Sequence, residues 1–314
     1  MSLLGSIHVA RSSTKLDAEV VRAFERADAV AVEIDVKGAE GQRAGRLLLE
    51  RGLYPAGQSL VDVVGPRRWA ALESHAPSLG MAADALARFR PWVVGLLLVL
   101  NRAAAAGVES TQGIDARVLA AARGRKPISS LETAEEQIDV FSGISDALQL
   151  RLLDELLEDL QSVGATFDGL VDAYERGDDA AIVVETRDEN EHPELSDFNR
   201  RVFDRRNETM ARRIDDLLEV PQNVLVTVGV GHLLGSGSVV ERLRRAGCEV
   251  RRVAPAGRFA SLPSAPRFST GCPCSETSTR SAYRRTAPCS RIRRPPASGA
   301  AWWGPSPSGL ASTP

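Results

Sequence analysis

The sequence of 314 residues predicts an α/β fold in which a central mixed sheet is flanked by helices. Two observations support this fold class, and a third concerns the C-terminal tail. Residues 2–9, 29–34 and 224–230 are short apolar runs of the kind that form buried strands. Between the first two runs, apolar side chains recur at spacings of four, four and three, which is typical of an amphipathic helix. After about residue 256 apolar periodicity ends, so the prediction adds a disordered C-terminal tail.

In chain order, residues 2–34 predict a strand–helix–strand unit. Residues 59–107 predict helices punctuated by prolines, which we interpret as an inserted helical layer covering the site. A helix at 116–123, a short strand at 126–131 and further helices up to about residue 217 follow. The strand at 224–230 leads into a helix that ends at Gly247, and a strand at 248–253 closes the fold.

We therefore predict one α/β domain over residues 1–256, with a helical insertion at about 59–107, and a basic tail rich in Arg, Pro and Ser over 257–314. Residues 251–314 contain ten Arg and a single acid, Glu276. This composition also suggests an out-of-frame translation of GC-rich coding sequence. Sequencing the gene through codon 260 tests that hypothesis.

Composition excludes several classes of protein. The first 250 residues contain 29 basic and 40 acidic side chains, which argues against non-specific nucleic-acid binding. The four cysteines lie at positions 248, 272, 274 and 289, so a disulfide framework for the body is excluded.

Targeting signals are not evident in the sequence. The longest apolar block, residues 93–100, is far shorter than the roughly 18–20 residues of a membrane-spanning helix. The first strand starts almost at Met1, so we expect a cytoplasmic protein as written, or an exported one if the natural N-terminus carries a missing signal peptide.

The pattern Gly-x-x-His occurs twice, each time where an apolar run ends. The two copies are Gly5-Ser6-Ile7-His8 and Gly229-Val230-Gly231-His232, and the chain has only four histidines. A glycine lets the chain turn sharply, so that the imidazole enters the crevice beyond the strand ends, where α/β proteins bind ligands. Each histidine could equally be a structural residue. Imidazoles more than about 8 Å apart could not share an ion, since metal–nitrogen bonds are about 2.0–2.1 Å long.

Glu33, at the end of the second strand, is a third candidate. Two imidazoles and a carboxylate suit a divalent ion such as Mn, Co or Zn, with positions left open for water. Without a metal, Glu33 could act as a general base while a histidine polarises a carbonyl. The alternative is that Glu33 or Asp35 merely caps the following loop.

Three further charged residues have two interpretations each. Arg206 could bind a substrate anion or Glu33, or be one of several exposed arginines. Asp115 could face the site or cap a helix, and Glu132 could face the site or favour a helix N-terminus through the dipole.

A rival interpretation concerns the second turn. Gly229, Gly231 and Gly235 follow a strand and open a helix, as in a dinucleotide-binding fingerprint, and Arg251-Arg252 could meet a 2′-phosphate. No second nucleotide-binding half follows this motif, which argues against it.

Several phrases together resemble the TraB/GumN family and its Tiki-type metalloprotease relatives. They are Leu4-Gly5-Ser6-Ile7-His8, Val32-Glu33-Ile34-Asp35, Pro55-Ala56-Gly57-Gln58-Ser59-Leu60, Pro91-Trp92, Gly113-Ile114-Asp115, Gly124-Arg125-Lys126-Pro127, Leu131-Glu132-Thr133, Arg206-Asn207-Glu208-Thr209-Met210-Ala211 and Gly229-Val230-Gly231-His232-Leu233-Leu234-Gly235. The resemblance covers residues 3 to about 253. It implies an α/β domain with both Gly-x-x-His turns and a glutamate around one site, which supports metal-dependent peptide hydrolysis in the Tiki-type relatives.

The resulting hypothesis is a metal-dependent hydrolase, peptidase-like, that acts on a peptide or small carbonyl substrate. His8, His232 and Glu33 are its candidate metal ligands, and Arg206 joins them as a candidate catalytic residue. The alternative is a non-catalytic module that binds haem or a peptide signal.

Overall fold

The computed structural model describes residues 1–186 and 196–264. At its centre is a four-stranded sheet in the order β1-β5-β3-β4. These strands are β1 (Ser2–Ser6), β3 (Ala29–Val32), β4 (Ile128–Ser130) and β5 (Val224–Gly229), while β2 (Leu16–Asp17) and β6 (Phe259–Ala260) form a separate antiparallel pair. The α/β fold class is confirmed.

All four strands of the sheet run parallel, whereas the sequence predicts a mixed sheet. The expected closing strand at 248–253 is also wrong, because these residues form no strand and Val253 is 69% exposed. Beyond the edge strand β1 lies Tyr174, whose hydroxyl donates a hydrogen bond to the Gly5 carbonyl oxygen at 2.8 Å. A helix therefore shields part of this edge.

Fourteen α-helical segments fall within the described residues. They are α1 (Ala18–Arg26), α2 (Ala39–Gly52), α3 (Leu60–His75), α4 (Ala83–Leu86), α5 (Pro91–Ala105), α6 (Ile114–Ala122), α7 (Ala134–Ser142), α8 (Asp146–Glu158), α9 (Val163–Arg176), α10 (Asp179–Thr186), α11 (Ser196–Asn199), α12 (Arg205–Leu218), α13 (Val230–Leu233) and α14 (Val239–Arg245). Two 3₁₀ turns (Ala76–Leu79 and Ser110–Gln112) and a π-helical turn (Arg200–Asp204) complete the set.

Helices cover both faces of the sheet. On one face, Met210 and Ile214 of α12 pack with Val226 and Val228 of β5. On the other, α1 and α6 contribute one buried cluster with the strands, formed by Phe24, Ala27, Val30, Val32, Val118, Leu119, Ala121, Ala122 and Leu225. Strands buried on both faces are apolar throughout, which is why β3 and β5 are evident in the sequence.

The helical block expected at 59–107 forms a second core with α8. Leu60, Leu72, Leu98 and Leu153 are buried together there. Helix α3 is interrupted where Gly65 adopts φ +75° ahead of Pro66. The role of this block as a cover of the site stays a prediction.

The ordered chain continues past the predicted boundary at 256. The Asp17 carboxylate caps α1 and also accepts hydrogen bonds at 3.1 Å from the amides of Ala256 and Gly257. The strand β6 then pairs with β2. The rest of the predicted tail, residues 265–314, lies outside the described residues. Within the described part of the chain, no helix is long and apolar enough to cross a membrane.

Candidate functional site

The site lies where the parallel strands end. His8 follows β1 by two residues, Gly229 is the last residue of β5, and Glu33 follows β3 directly. Since β1, β5 and β3 are neighbours in the sheet, their carboxyl ends meet at one edge. Segments more than 200 residues apart in the chain therefore contribute to one place.

Glu33 stands between the two histidines. Its Oε2 lies 3.7 Å from His8 Nε2, and its Oε1 lies 3.8 Å from His232 Nε2. The Gly229 amide donates a hydrogen bond of 2.6 Å to Oε1. A methyl group at Gly229 would lie 3.2 Å from His8 Nε2 and 3.4 Å from a carbon of the His232 ring. The two imidazoles are therefore closer together than the separation of about 8 Å that would rule out a shared ion.

His8 is held by a carboxylate. Its Nδ1 forms a hydrogen bond of 2.9 Å with Asp115 Oδ2, in the first turn of α6. Gly113 makes this approach possible, because a side chain there would come within 2.4 Å of the His8 carbonyl oxygen. Burial lowers the pKa of His8, but the charges of Asp115 and Glu33 outweigh it and raise the pKa above its usual value.

His232 is held by an amide instead. Its Nδ1 lies 2.7 Å from Asn207 Oδ1, and both residues are buried. The Asn207 amide nitrogen donates to the Gly237 carbonyl oxygen at 3.0 Å, so the side chain is fixed at both ends. The Phe203 ring, in the π-helical turn before α12, lies 5.5 Å from the His232 ring. Such turns often occur at functional sites.

Arg206 joins two buried carboxylates. Its Nη2 donates to Glu33 Oε2 at 3.0 Å and to Glu132 Oε2 at 2.7 Å, and its Nε donates to Glu132 Oε1 at 2.7 Å. Gln137 also donates to Glu132. Burial raises the pKa of Glu33, but Arg206, His8 and the Gly229 amide lower it more, so the net pKa falls. The same two carboxylates raise the pKa of Arg206 although burial opposes them.

Comparisons with known proteins identify the family. A model of the TraB/PrgY/gumN family matches residues 1–252. The chain belongs to this family. It is 28% identical to metalloprotease TIKI1 of Danio rerio, over 82% of this chain and 61% of that protein. It is 27% identical to metalloprotease TIKI2 of Danio rerio, over 81% of this chain and 58% of that protein. The chain thus spans about three fifths of the length of these relatives, and no solved structure matches it significantly.

The TraB/PrgY/gumN fold brings all four predicted site residues together. His8, Glu33, Arg206 and His232 contact one another directly or through one neighbour. Of the two interpretations of Arg206, pairing with Glu33 is the one observed. Asp35, by contrast, accepts the Lys37 amide and pairs with Arg123, so it caps the loop as the alternative expected.

Three further residues support the site, and two of them have facing the site as one of their two interpretations in the sequence. Asp115 faces the site, as one of its two interpretations predicts, and makes no side-chain cap of α6. Glu132 is only 1% exposed and binds Arg206, so the helix-dipole interpretation is wrong. Asn207 is not among the residues that the sequence predicts for the site. Asn207 lies next to Arg206 in a segment that resembles the family, and this position is the feature of the sequence that points to a role in the site.

The dinucleotide interpretation of the second turn loses its basis in the TraB/PrgY/gumN structure. The Gly229 amide that would face a phosphate already donates to the Glu33 carboxylate. The helix that follows has only four residues. Arg251 and Arg252 pair with Glu249 and Asp179.

A small cavity of about 10 Å³ lies beside Glu33 and His8. It is lined by Ser6, His8, Val32, Glu33, Ile34, Val36, Asp115 and Thr227. A haem group is many times larger than this cavity, and the haem alternative stays a prediction.

Proposed function

We propose that this domain is a metal-dependent hydrolase of the peptidase type. In this proposal His8, His232 and Glu33 hold a divalent ion, and Arg206 positions Glu33. The observation that carries it is the Glu33 carboxylate between two imidazole Nε2 atoms, at 3.7 and 3.8 Å. The names of the relatives support a peptide substrate. Because the chain spans only part of their length, activity and substrate belong to the proposal.

The donor set suits a divalent ion such as Mn, Co or Zn. The Nδ1 of each imidazole forms a hydrogen bond with a polar side chain, Asp115 for His8 and Asn207 for His232. Metal-binding histidines usually make such a bond through the ring nitrogen that does not bind the metal. Two bonds of about 2.1 Å to one ion can span at most about 4.2 Å, so both nitrogen–oxygen separations are short enough. In the described part of the chain, however, no group of three or more His, Cys, Asp or Glu side chains is positioned to hold a metal ion. Binding therefore requires the three donors to move closer together.

A bound divalent ion would lower the pKa of water and polarise a carbonyl group. The charge of Glu33, one of the candidate ligands, is set by a neighbouring residue. Arg206 is a fixed cation that keeps Glu33 ionised and lowers its pKa. A carboxylate with a lowered pKa is a poor general base at neutral pH, so the ligand role of Glu33 is favoured over the base role.

Metal analysis of the purified full chain tests the proposal. The wild-type protein is expected to bind about one ion per chain, and His8→Ala and His232→Ala are expected to lose it. His75→Ala is the matched control, because His75 ends α3 in the helical block and belongs to no part of the site. Unchanged metal stoichiometry in His232→Ala would refute the metal role.

A screen of peptides and esters with Mn, Co and Zn then tests hydrolysis. We expect kcat/KM in Glu33→Gln to fall by at least about 100-fold, because the carboxylate charge at the centre of the site is removed. Wild-type rates in Glu33→Gln would contradict the proposal.

A further inference from the structure

Three buried oxygen atoms around the small cavity have no hydrogen-bond partner among the described residues. They are Ser6 Oγ, Thr227 Oγ1 and Asp115 Oδ1. Ser6 and Thr227 are each 1% exposed. Leaving a buried hydroxyl or carboxylate oxygen without a partner costs about 1–3 kcal/mol, so three such atoms around one cavity need an explanation.

The fold places these atoms together. Ser6 pairs with Gly229, and Leu4 pairs with Thr227, so the two hydroxyls come from adjacent strands near the carboxyl edge of the sheet. Asp115 approaches from the first turn of α6. All three residues line the same cavity, together with His8 and Glu33.

The size of the cavity limits what can occupy it. Its volume of about 10 Å³ matches the smallest cavity that holds one water molecule, about 10–15 Å³. A buried water makes about two to four hydrogen bonds. Two hydroxyls, which can donate or accept, and a carboxylate oxygen, which accepts, provide that number.

We propose that one ordered water molecule binds Ser6 Oγ, Thr227 Oγ1 and Asp115 Oδ1. Through Asp115, whose other oxygen holds His8 Nδ1, this water ties the orientation of the His8 imidazole to the sheet. Ser6 and Thr227 are then positioning residues for His8. The inference is independent of the proposed function, because it can be tested on metal-free protein without substrate.

The direction in which Thr227→Val changes the melting temperature distinguishes a cavity that holds water from an empty one. Thr227→Val keeps the shape of the side chain and removes the hydroxyl. If the hydroxyl binds water, the melting temperature falls by about 2–4 °C, because the water and its hydrogen bonds to Ser6 and Asp115 are lost. If the cavity is dry, the substitution removes an unsatisfied polar atom, and the melting temperature stays the same or rises. The second result would overturn the inference.

Thr14→Val is the matched control. Thr14 is also buried, at 2% exposure, and its Oγ1 also has no partner among the described residues. It does not line the cavity. We therefore expect Thr14→Val to leave the melting temperature unchanged or to raise it. An equal fall in both variants would overturn the inference, because it would reflect the substitution and not the water.

A spectroscopic signal tests the link to His8. The Nδ1 proton resonance of His8 in the metal-free protein is expected to shift in Thr227→Val and in Ser6→Ala. Thr227→Ser keeps the hydroxyl and is expected to restore the wild-type resonance. A resonance unchanged in all variants would show that the hydroxyls do not position His8.

A high-resolution crystal structure gives the direct test. One water within hydrogen-bond distance of the three oxygen atoms is expected in the wild type, and none in Thr227→Val. An empty cavity in the wild type, or a metal cation identified there by anomalous scattering, would overturn the inference.

Discussion

The two Gly-x-x-His turns share a sequence pattern but hold their imidazoles in different ways. His8 follows an edge strand, bonds to a carboxylate, and leaves 18% of its side chain exposed. His232 follows an interior strand, bonds to an amide, and leaves 5% exposed. The pattern thus sets where each imidazole lies, while a partner on a distant helix sets its electrostatic environment.

Gly229→Ala is expected to have the largest effect, because it disturbs both turns at once. The added methyl would lie 3.2 Å from both Glu33 Oε1 and His8 Nε2, closer than most side-chain contacts. We expect metal binding to be lost and kcat/KM to fall by about 100-fold or more. Metal analysis and peptide hydrolysis measure these effects.

Gly95→Ala in α5 is the control, since its nearest neighbour, Leu156, would be 3.7 Å away. Alanine in a helix is favoured over glycine, so this variant is expected to remain active and at least as stable. Wild-type metal affinity in Gly229→Ala would show that the two turns do not share a site.

Removing the partner of each imidazole compares the two turns directly. Asn207→Leu removes the bond of the buried His232 Nδ1 to the Asn207 amide, so the free energy of unfolding is expected to fall by about 2–3 kcal/mol. It also removes one of the two hydrogen bonds to the Gly237 carbonyl oxygen, which keeps its bond from Arg242 Nε. Asp115→Leu should cost less, because 24% of the Asp115 side chain is exposed and water can replace it. Urea unfolding measures both variants, and a larger loss in Asp115→Leu would reverse the comparison.

Asp115→Asn removes the charge beside His8 but keeps the shape of the side chain. The pKa of His8 is raised in the folded protein, so its contribution to stability is fully present below about pH 6.5 and is lost as the pH rises through the folded pKa. In Asp115→Asn this contribution should shrink and the pKa of His8 should fall. An NMR titration of metal-free protein and unfolding between pH 5 and 9 give the answer. A His8 pKa that stays the same would assign the shift to Glu33 alone.

Phe203→Leu is expected to have the smallest effect. It removes the ring 5.5 Å from His232, which should lower the free energy of unfolding by about 1 kcal/mol. NMR signals of His232 should shift while those of His8 remain unchanged. Equal shifts in both histidines would mean that the two turns are more tightly coupled than their separate partners suggest.

The fold was predictable where a segment is buried on both sides. Residues 29–34 and 224–230 are apolar because helices cover both faces of the sheet there, and they form β3 and β5. The segment 248–253 has a strand-like pattern but forms no strand. The local sequence pattern of a segment does not indicate whether a neighbouring strand is available to pair with it.

The site was predictable for residues that stand at strand ends. His8, Glu33 and His232 meet because parallel strands share an edge. Asn207 and Glu132 were harder to find, because their roles depend on how α12 lies against the sheet. In the sequence, a polar residue near the start of a helix gives the same pattern whether its side chain faces solvent or a buried charge.

The pairing of β1 with β5 has a consequence for synthesis on the ribosome. β1 is synthesised before β5, its hydrogen-bonding neighbour in the sheet, which lies more than 200 residues later in the chain. Contacts of such long sequence separation form slowly, and an unpaired strand edge is prone to aggregation. β1 therefore cannot pair with β5 until most of the domain has been synthesised. Prematurely terminated chains that lack β5 carry His8 but cannot assemble the site.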